Sequence, residues 1–308
     1  VIYTVTLNPA LDRALRVDRL REEDTVRVSG ETIYAAGKGI DVSRVIRELD
    51  GRSVALGLVG GYAGLQLEGF LINAGVMCDF IRIANETRTN LIIKEEETGR
   101  QYVISAAGPE INASEIGRLY QHFLQLQDMD FLVLSGSLPR GVTPNLYGQL
   151  ILAGKKNRAF VLLDADGRAL TESIAFGPDC IKPNLYELSR LVGRKLATEG
   201  EILEACRELH QRGVPSVLVS RGEAGLIFSK GEQRFKAVAP PVVVDSTVGA
   251  GDSAVAGFIL ALSQGRDLAD CVRLACAAGT ATARTPGTAL CHKMDVEEIL
   301  AQVRVEAL

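Results

Sequence analysis

Apolar and polar positions along the chain keep two different periods, and the alternation between those periods sets the fold class. Val42, Val45, Ile46 and Leu49 fall at the i, i+3, i+4, i+7 spacing of one helix face, and Ser53-Val-Ala-Leu-Gly-Leu-Val59 behind them reads as a strand. A helix around Leu65–Asn73 follows, ended by Gly75, and Ser114 is the expected N-cap of another that runs to about Leu126. Short apolar runs at Phe131–Leu134, Phe160–Leu163 and Val217–Val219 read as buried strands, each followed by a polar or glycine-rich turn and a further helix. Such alternation predicts a mostly parallel sheet covered by helices on both faces. In open sheets of this kind ligands bind beyond the carboxyl ends of the strands, so the turns that follow them are the places to look for chemistry.

Two stretches break the alternation. Arg13–Tyr34 and Thr87–Ser105 alternate like strands, carry charged neighbours and have no crossover helix between them. Thr98-Gly99 predicts the turn of a hairpin between Leu91–Lys94 and Gln101–Ile104. Together they predict a small β-sheet appended to the main body as a lid, contributed by about residues 13–35 and 87–107 of one domain spanning 1–308. A plain edge extension of the main sheet is the alternative.

Composition narrows the class. The 308 residues are 47% hydrophobic and 23% charged, which is ordinary for a folded chain with a sizeable core. A formal net charge of -4 gives no electrostatic reason for a nucleic-acid or anionic-membrane partner. No apolar run approaches the roughly 20 residues that span a bilayer. Val1–Leu7 reads as a strand without a basic start or cleavage site. Six cysteines form no C-x-x-C pair and no metal-ligand spacing with the three histidines, so they read as buried apolar residues of a reduced, cytoplasmic protein.

Chemistry concentrates in Thr247-Val-Gly-Ala-Gly-Asp-Ser253, ahead of the apolar run Ala254–Leu262. Its glycines free the backbone to turn, and the following helix aims unsatisfied N–H groups and the positive end of its dipole into the loop, where an anion is stabilised. A transferring phosphoryl group is such an anion, and Asp252 in the first turn could accept the proton of an attacking hydroxyl. A bare capping role for Asp252 is the competing reading. Ala35-Ala-Gly-Lys-Gly-Ile-Asp41 also opens a helix; it lacks Walker spacing, yet Lys38 between Gly37 and Gly39 suits a phosphate or a sugar oxygen. Asp12, in Asn8-Pro-Ala-Leu-Asp12, suits vicinal hydroxyls. Arg88 in Thr87-Arg88-Thr-Asn90 and Arg140 in Ser135-Gly-Ser-Leu-Pro-Arg140 could bind a phosphate bidentately. Lys182-Pro-Asn184, with Glu187, follows a strand and precedes a helix.

Several such motifs in one order resemble the ribokinase-like (PfkB) family of carbohydrate kinases over essentially the full length. The likeness is to its phosphosugar branch of 1-phosphofructokinases, tagatose-6-phosphate kinases and minor bacterial 6-phosphofructokinases. The resemblance rests on Asn8–Asp12, Ala36–Gly39, Thr87-Arg88, Ser135–Pro139, Lys182–Asn184 and Ser246–Ser253. It implies a ribokinase-like three-layer α/β/α fold with a mostly parallel central sheet and a small β-sheet lid that often forms a dimer interface. It implies ATP and Mg²⁺, with Asp252 as base and the N–H groups of Gly249, Ala250 and Gly251 as anion hole. Asp12, Gly37, Lys38, Gly39, Asp41, Arg88, Ser137 and Arg140 would bind the sugar or its phosphate. Lys182, Asn184, Ser220, Gly222, Gly225 and Gly279 would lie along the nucleotide, with Glu187 near Mg²⁺. Ser246, Val248, Thr282 and Gly287 lie in segments that match a monovalent-cation (K⁺) site.

One departure concerns the acceptor. Asp41 stands where the family usually has Asn, which exchanges an amide for a carboxylate beside the expected sugar hydroxyls. Lys38 is similar to the 1-phosphofructokinase and tagatose-6-phosphate kinase pattern, whereas Gly287-Thr-Ala-Leu-Cys291 is similar to the minor 6-phosphofructokinase. The expected reaction is ATP-dependent phosphorylation of a ketohexose phosphate, fructose 1-phosphate first, with fructose 6-phosphate and tagatose 6-phosphate as rivals. A non-catalytic sugar-phosphate sensor on the same fold is the reading from a different class. A dinucleotide-binding dehydrogenase is excluded, because no G-x-G-x-x-G follows the first strand.

Overall fold

The computed structural model describes residues 1–308, and its elements follow the sequence periods closely. The chain opens with β1 (Ile2–Thr6), then runs through β2 (Ala10–Val17) and β3 (Val28–Ala36) into α1 (Lys38–Glu48). β4 (Ser53–Gly60), α2 (Gly61–Asn73) and β5 (Met77–Ile83) follow, and then the hairpin of β6 (Arg88–Glu95) and β7 (Gln101–Ile104). Alternation resumes with α3 (Ala113–Gln125), β8 (Phe131–Ser135), α4 (Asn145–Lys156), β9 (Phe160–Asp164), α5 (Gly167–Ser173), β10 (Cys180–Ile181), α6 (Leu185–Val192), α7 (Glu199–Gln211) and β11 (Ser216–Ser220). The last part comprises β12 (Leu226–Lys230), β13 (Gln233–Val238), α8 (Ala250–Ser263), α9 (Leu268–Ala283), α10 (Lys293–Leu300) and β14 (Arg304–Ala307).

Ten strands form the main sheet in the order β14-β13-β12-β11-β10-β9-β8-β1-β4-β5. From β5 to β11 every pairing is parallel; β12, β13 and β14 add an antiparallel edge. Period-2 alternation in the buried strands sends neighbouring side chains to opposite layers. Leu132 and Leu134 join one apolar core while Val133 joins the other, and Val217 and Val219 face away from Leu218. The two cores hold 34 and 31 buried residues, so the sheet is covered almost equally on both faces, giving a three-layer α/β/α body. Chain order reverses between β1 and β8, and the crevice at that switch point is where a ligand belongs.

The second sheet has four strands in the order β3-β2-β6-β7, separate from the first. The expected hairpin is present: Leu91 to Lys94 pair with Ile104 to Gln101, and Gly99 takes a φ of 68° in the turn. The sheet starts earlier than the sequence pattern suggests, at Ala10, so Asp12 lies within a lid strand and pairs with Tyr34 and Asn90. One cap also moves. Asn112, not Ser114, caps α3, because its side chain accepts the N–H groups of Ser114 and Glu115 while Glu115 returns a bond to the Asn112 N–H.

Candidate active site

The glycine-rich turn ahead of α8 does what its sequence predicts. Gly249 sits at a φ of 77°, and a Cβ there would also come within 2.6 Å of Leu290, so the position admits only glycine. Ser253 is the first residue of the turn to make a short helical bond, 2.8 Å to the Gly249 carbonyl, while the Ala250 N–H reaches Thr247 only at 3.4 Å. The amides ahead of Ser253 therefore face the loop at the positive end of the α8 dipole. Asp252 stands in this first turn, 8% exposed. Burial raises its carboxyl well above the ordinary range; Asp164 and Asp41 add to that, and Lys38 and Lys182 oppose it. A buried carboxylate raised in this way has a heightened affinity for a proton, which suits it to take one from an attacking hydroxyl.

Beside it lies a charge group the motifs did not reveal. Asp164 ends β9 and is fully buried, and its Oδ1 receives Lys38 Nζ at 3.1 Å and Lys182 Nζ at 3.4 Å. Burial works to raise the Asp164 carboxyl, but Lys182 and Lys38 outweigh it and hold it below the ordinary range. Asp164 in turn holds Lys38 firmly protonated. Lys182 Nζ also approaches Gly251, 3.3 Å from where a Cβ would sit. Two lysines from different strand ends thus converge on the α8 turn, fixed by one carboxylate. The signal for Asp164 in the sequence was a lone acid closing an apolar strand, at the end where chemistry was expected.

Lys38 also borders a cavity of about 590 Å³ between the lid root and the ends of β1, β8 and β9. Thr6, Asn8, Gly37, Arg88, Ser137 and Arg168 are among its lining residues. Three buried polar atoms of that lining have no hydrogen-bond partner: Thr6 Oγ1, Asn8 Oδ1 and Arg88 Nε. Unsatisfied groups gathered at one cavity mark a place for a polar ligand. Arg88 is braced by carbonyls, donating through Nη1 to Ala106 and through Nη2 to Asn8, both at 2.9 Å. Asn8 Nδ2 donates to Ala107 and to Ser137 Oγ, tying three strand-end segments together.

Asp12 accepts from Asn90 Nδ2 at 2.8 Å, and burial raises its carboxyl against that bond and against Arg88 and Arg44. Asp41 is raised to about 7 by burial; Arg44, donating at 3.0 Å, resists the shift and Asp12 adds to it. A half-protonated acid both donates and accepts, so the substitution of Asp for Asn retains much of the amide's hydrogen-bonding character near neutrality. Close approach of the loop to β1 requires Gly39, where a Cβ would lie 2.6 Å from Thr6 Oγ1.

The remaining expected residues spread along the same edge. Asn184 and Glu187 cap α6 reciprocally, and Asn184 bridges Ser220 on the next strand end. Gly222 and Gly225 shape the turn after β11, with φ of 60° and 80°. Gly279 lets α9 pack on α8, a Cβ there falling 2.9 Å from the Ala250 carbonyl. Ser246 Oγ donates to the Gly287 carbonyl at 2.7 Å and accepts from the Val248 N–H. Thr282 Oγ1 bonds Ser253 Oγ and the Cys291 N–H instead. Arg140 stands apart: its Nε donates to the Gly108 carbonyl at 3.3 Å, and the residue does not line the cavity.

Strand-end loops, a helix-terminal anion cradle with a buried acid, and a β lid define a kinase of the ribokinase-like class. Residues 5–294 match the model of the pfkB family of carbohydrate kinases, and the chain belongs to that family. It is 36% identical to the 1-phosphofructokinase of Borreliella burgdorferi, covering 99% of this chain and 98% of that one. The ATP-dependent 6-phosphofructokinase isozyme 2 of Escherichia coli is 35% identical (97% and 98% covered), and the D-tagatose-1-phosphate kinase of Bacillus licheniformis is 32% identical over both full lengths. Phosphofructokinase-2 from Escherichia coli, solved in complex with potassium, superposes with a TM-score of 0.93 at 35% identity, covering 97% of this chain and 98% of that one. The same enzyme has been solved as a tetrameric inhibited form (TM-score 0.91). Ribokinase from Arabidopsis thaliana shares the fold at a TM-score of 0.78 and 24% identity, covering 97% of this chain and 98% of that one.

Proposed function

We propose that this kinase transfers the γ-phosphoryl group of ATP to a free hydroxyl of a ketohexose phosphate, with fructose 1-phosphate as its leading acceptor and fructose 1,6-bisphosphate as product. The observation that carries the reading is the junction at Lys38. This one side chain lines the cavity that also holds Arg88 and pairs with Asp164 beside Asp252 and the α8 turn. An anionic acceptor and a transferring phosphoryl group would thus meet across it. The 1-phosphofructokinase named above supports the choice of acceptor, and fructose 6-phosphate is the second reading because an enzyme named for it is equally similar.

Asp12 and Asp41 orient the acceptor hydroxyls, while Arg88, Ser137 and Lys38 hold its phosphate. Asp252 takes the proton of the attacking hydroxyl as that oxygen bonds to the γ-phosphorus. The bond from that phosphorus to the β–γ bridging oxygen breaks, and ADP carries the pair of electrons away. The amides of Gly249, Ala250 and Gly251 face the equatorial oxygens, and Lys182 offsets their charge, which is where such a transfer needs help. Lys182, Asn184, Ser220, Gly222, Gly225 and Gly279 mark the nucleotide's path.

Mg²⁺ at such a site would need only a few protein carboxylates beside the nucleotide's phosphates. Asp164 Oδ2 is buried without a partner, and it and Glu187 fit as the protein's hold on that ion. Bound there, Mg²⁺ would supply positive charge to offset the negative charge of the transferring phosphates. A monovalent cation fits near Ser246, Val248, Thr282 and Gly287, where Thr288 Oγ1 is also buried without a partner. The lid offers a second copy of the chain an edge strand, β7, whose residues are all exposed and which includes Tyr102, Val103 and Ile104.

An ADP-release assay across fructose 1-phosphate, fructose 6-phosphate, tagatose 6-phosphate and free fructose tests the assignment. Fructose 1-phosphate should show the highest kcat/KM; turnover of free sugars alone would overturn it. Asp252→Asn should lower kcat by about 10²–10⁴-fold.

A further inference from the structure

We propose that Arg168 is a further specificity residue, a third cation that closes on the acceptor's own phosphate from the α5 side of the cavity. The inference rests on the phosphosugar reading above. Three cationic side chains line the cavity: Lys38, Arg88 and Arg168. Lys38 already carries an ionic partner, since Asp164 takes its Nζ at 3.1 Å. Arg88 has only neutral carbonyl partners, and its Nε is left bare. One acid shares the wall, Asp166, but its charge is engaged elsewhere. It pairs with Arg190, which lies 4.8 Å over the Tyr186 ring, and it caps α5 through the Gly167 N–H. The cavity's uncommitted charge is therefore positive.

Arg168 is placed and free to serve. It is the second residue of α5, directly after Gly167, whose φ of 56° turns the chain at the cavity rim. Its side chain is 84% exposed and bonded only to Glu172 one turn on, through Nε at 2.8 Å. An exposed i,i+4 pair of this kind is weak, far weaker than a guanidinium on a phosphate dianion. A phosphorylated acceptor would draw Arg168 off Glu172, and both ends of the fork remain to meet phosphate oxygens. Arg140, the sequence candidate for this role, donates to the Gly108 carbonyl outside the cavity.

Steady-state kinetics on Arg168→Gln, Arg168→Lys and Glu172→Gln test the proposal. With the phosphosugar that wild type prefers, Arg168→Gln should raise KM about 5- to 20-fold, as loss of a charged hydrogen bond does, with kcat and the KM for ATP within about twofold. Arg168→Lys should recover part of the loss. Glu172→Gln, which removes the competing partner, should lower KM about twofold. Unchanged KM in Arg168→Gln, while wild type clearly uses a phosphosugar, overturns this inference and leaves the functional reading standing. Wild type that turns over free sugars alone overturns both. An equal rise in KM for free fructose also overturns it, because the residue would then serve the cavity's shape.

Discussion

The two ends of the site are built by different physical means. At the transfer end, Asp252, Asp164, Lys38 and Lys182 come from the main body, are buried apart from the half-buried Lys38, and compensate one another's charge. At the acceptor end, Asp12, Asn90 and Arg88 come from the lid sheet and are held by amide and carbonyl contacts, and the cavity that Arg88 lines keeps Thr6 Oγ1, Asn8 Oδ1 and Arg88 Nε unpaired, against Asp164 Oδ2 alone at the transfer end. A charge set that is already neutralised suits a step common to many substrates. Unpaired polar atoms around the cavity, Arg88 Nε of the lid among them, suit a part that must be completed by one particular ligand. On the proposed reading the body would carry the reaction, and the lid with its cavity the choice of sugar.

Breaking the transfer end should have the largest effect. Asp164→Asn leaves Lys38 and Lys182 without their shared anion, and Lys182 is almost wholly buried. Removing one partner of a buried pair costs about 3–5 kcal/mol, and an amide that still accepts hydrogen bonds should bring the loss to about 3 kcal/mol. Urea unfolding should show that fall, together with a large loss of kcat on every acceptor. Arg88→Gln should act more narrowly. Its fold should hold, and KM for a phosphorylated acceptor should rise about 10- to 100-fold while KM for ATP stays put. If KM for both substrates rises alike, the division between the two ends fails.

The smallest effect, and the finest test of the acceptor end, is pH. Asp41 is neutral below about 7 and charged above it, because burial raises it and Asp12 adds to the rise against Arg44. KM for a phosphorylated acceptor should climb about threefold as pH rises through 7, since on the proposed reading the new charge would lie near an anion. Asp41→Asn, assayed in parallel, should flatten that climb and so separates it from titration of the acceptor itself. Stability carries the same sign. The native state holds a proton that the unfolded chain releases between the ordinary carboxylate range and about 7, so stability should fall as pH rises across that window in wild type and fall less in Asp41→Asn.

Much of the transfer end was legible in the sequence because it is written locally. Glycines 249 and 251 and Asp252 belong to one turn, and the turn's geometry follows from helix termini alone. Lys38 and Lys182 could be seen as strand-end and helix-start residues. Asp164 could not be joined to them, since the pairing depends on β9 lying next to β10 and on Lys38 packing over Gly136 at the end of β8. The lid was visible as a break in period, yet its start at Ala10 was hidden because Asn8–Asp12 reads as the loop after β1. The choice between Arg140 and Arg168 was illegible for the same reason as Asp164. Which arginine faces the cavity is decided by the turns after β8 and β9, not by composition. Ser114 yielded to Asn112 as a cap because both are good caps, and only the reciprocal bond with Glu115 selects between them.

The central claim is that binding of the acceptor and activation of its hydroxyl reside in separable parts of the site. Calorimetric titration of Asp252→Asn with the acceptor that wild type prefers tests this most directly. The account predicts a Kd within about threefold of wild type in a protein whose kcat has fallen about 10²–10⁴-fold. Acceptor binding lost together with turnover, or turnover kept at the wild-type rate, would contradict it.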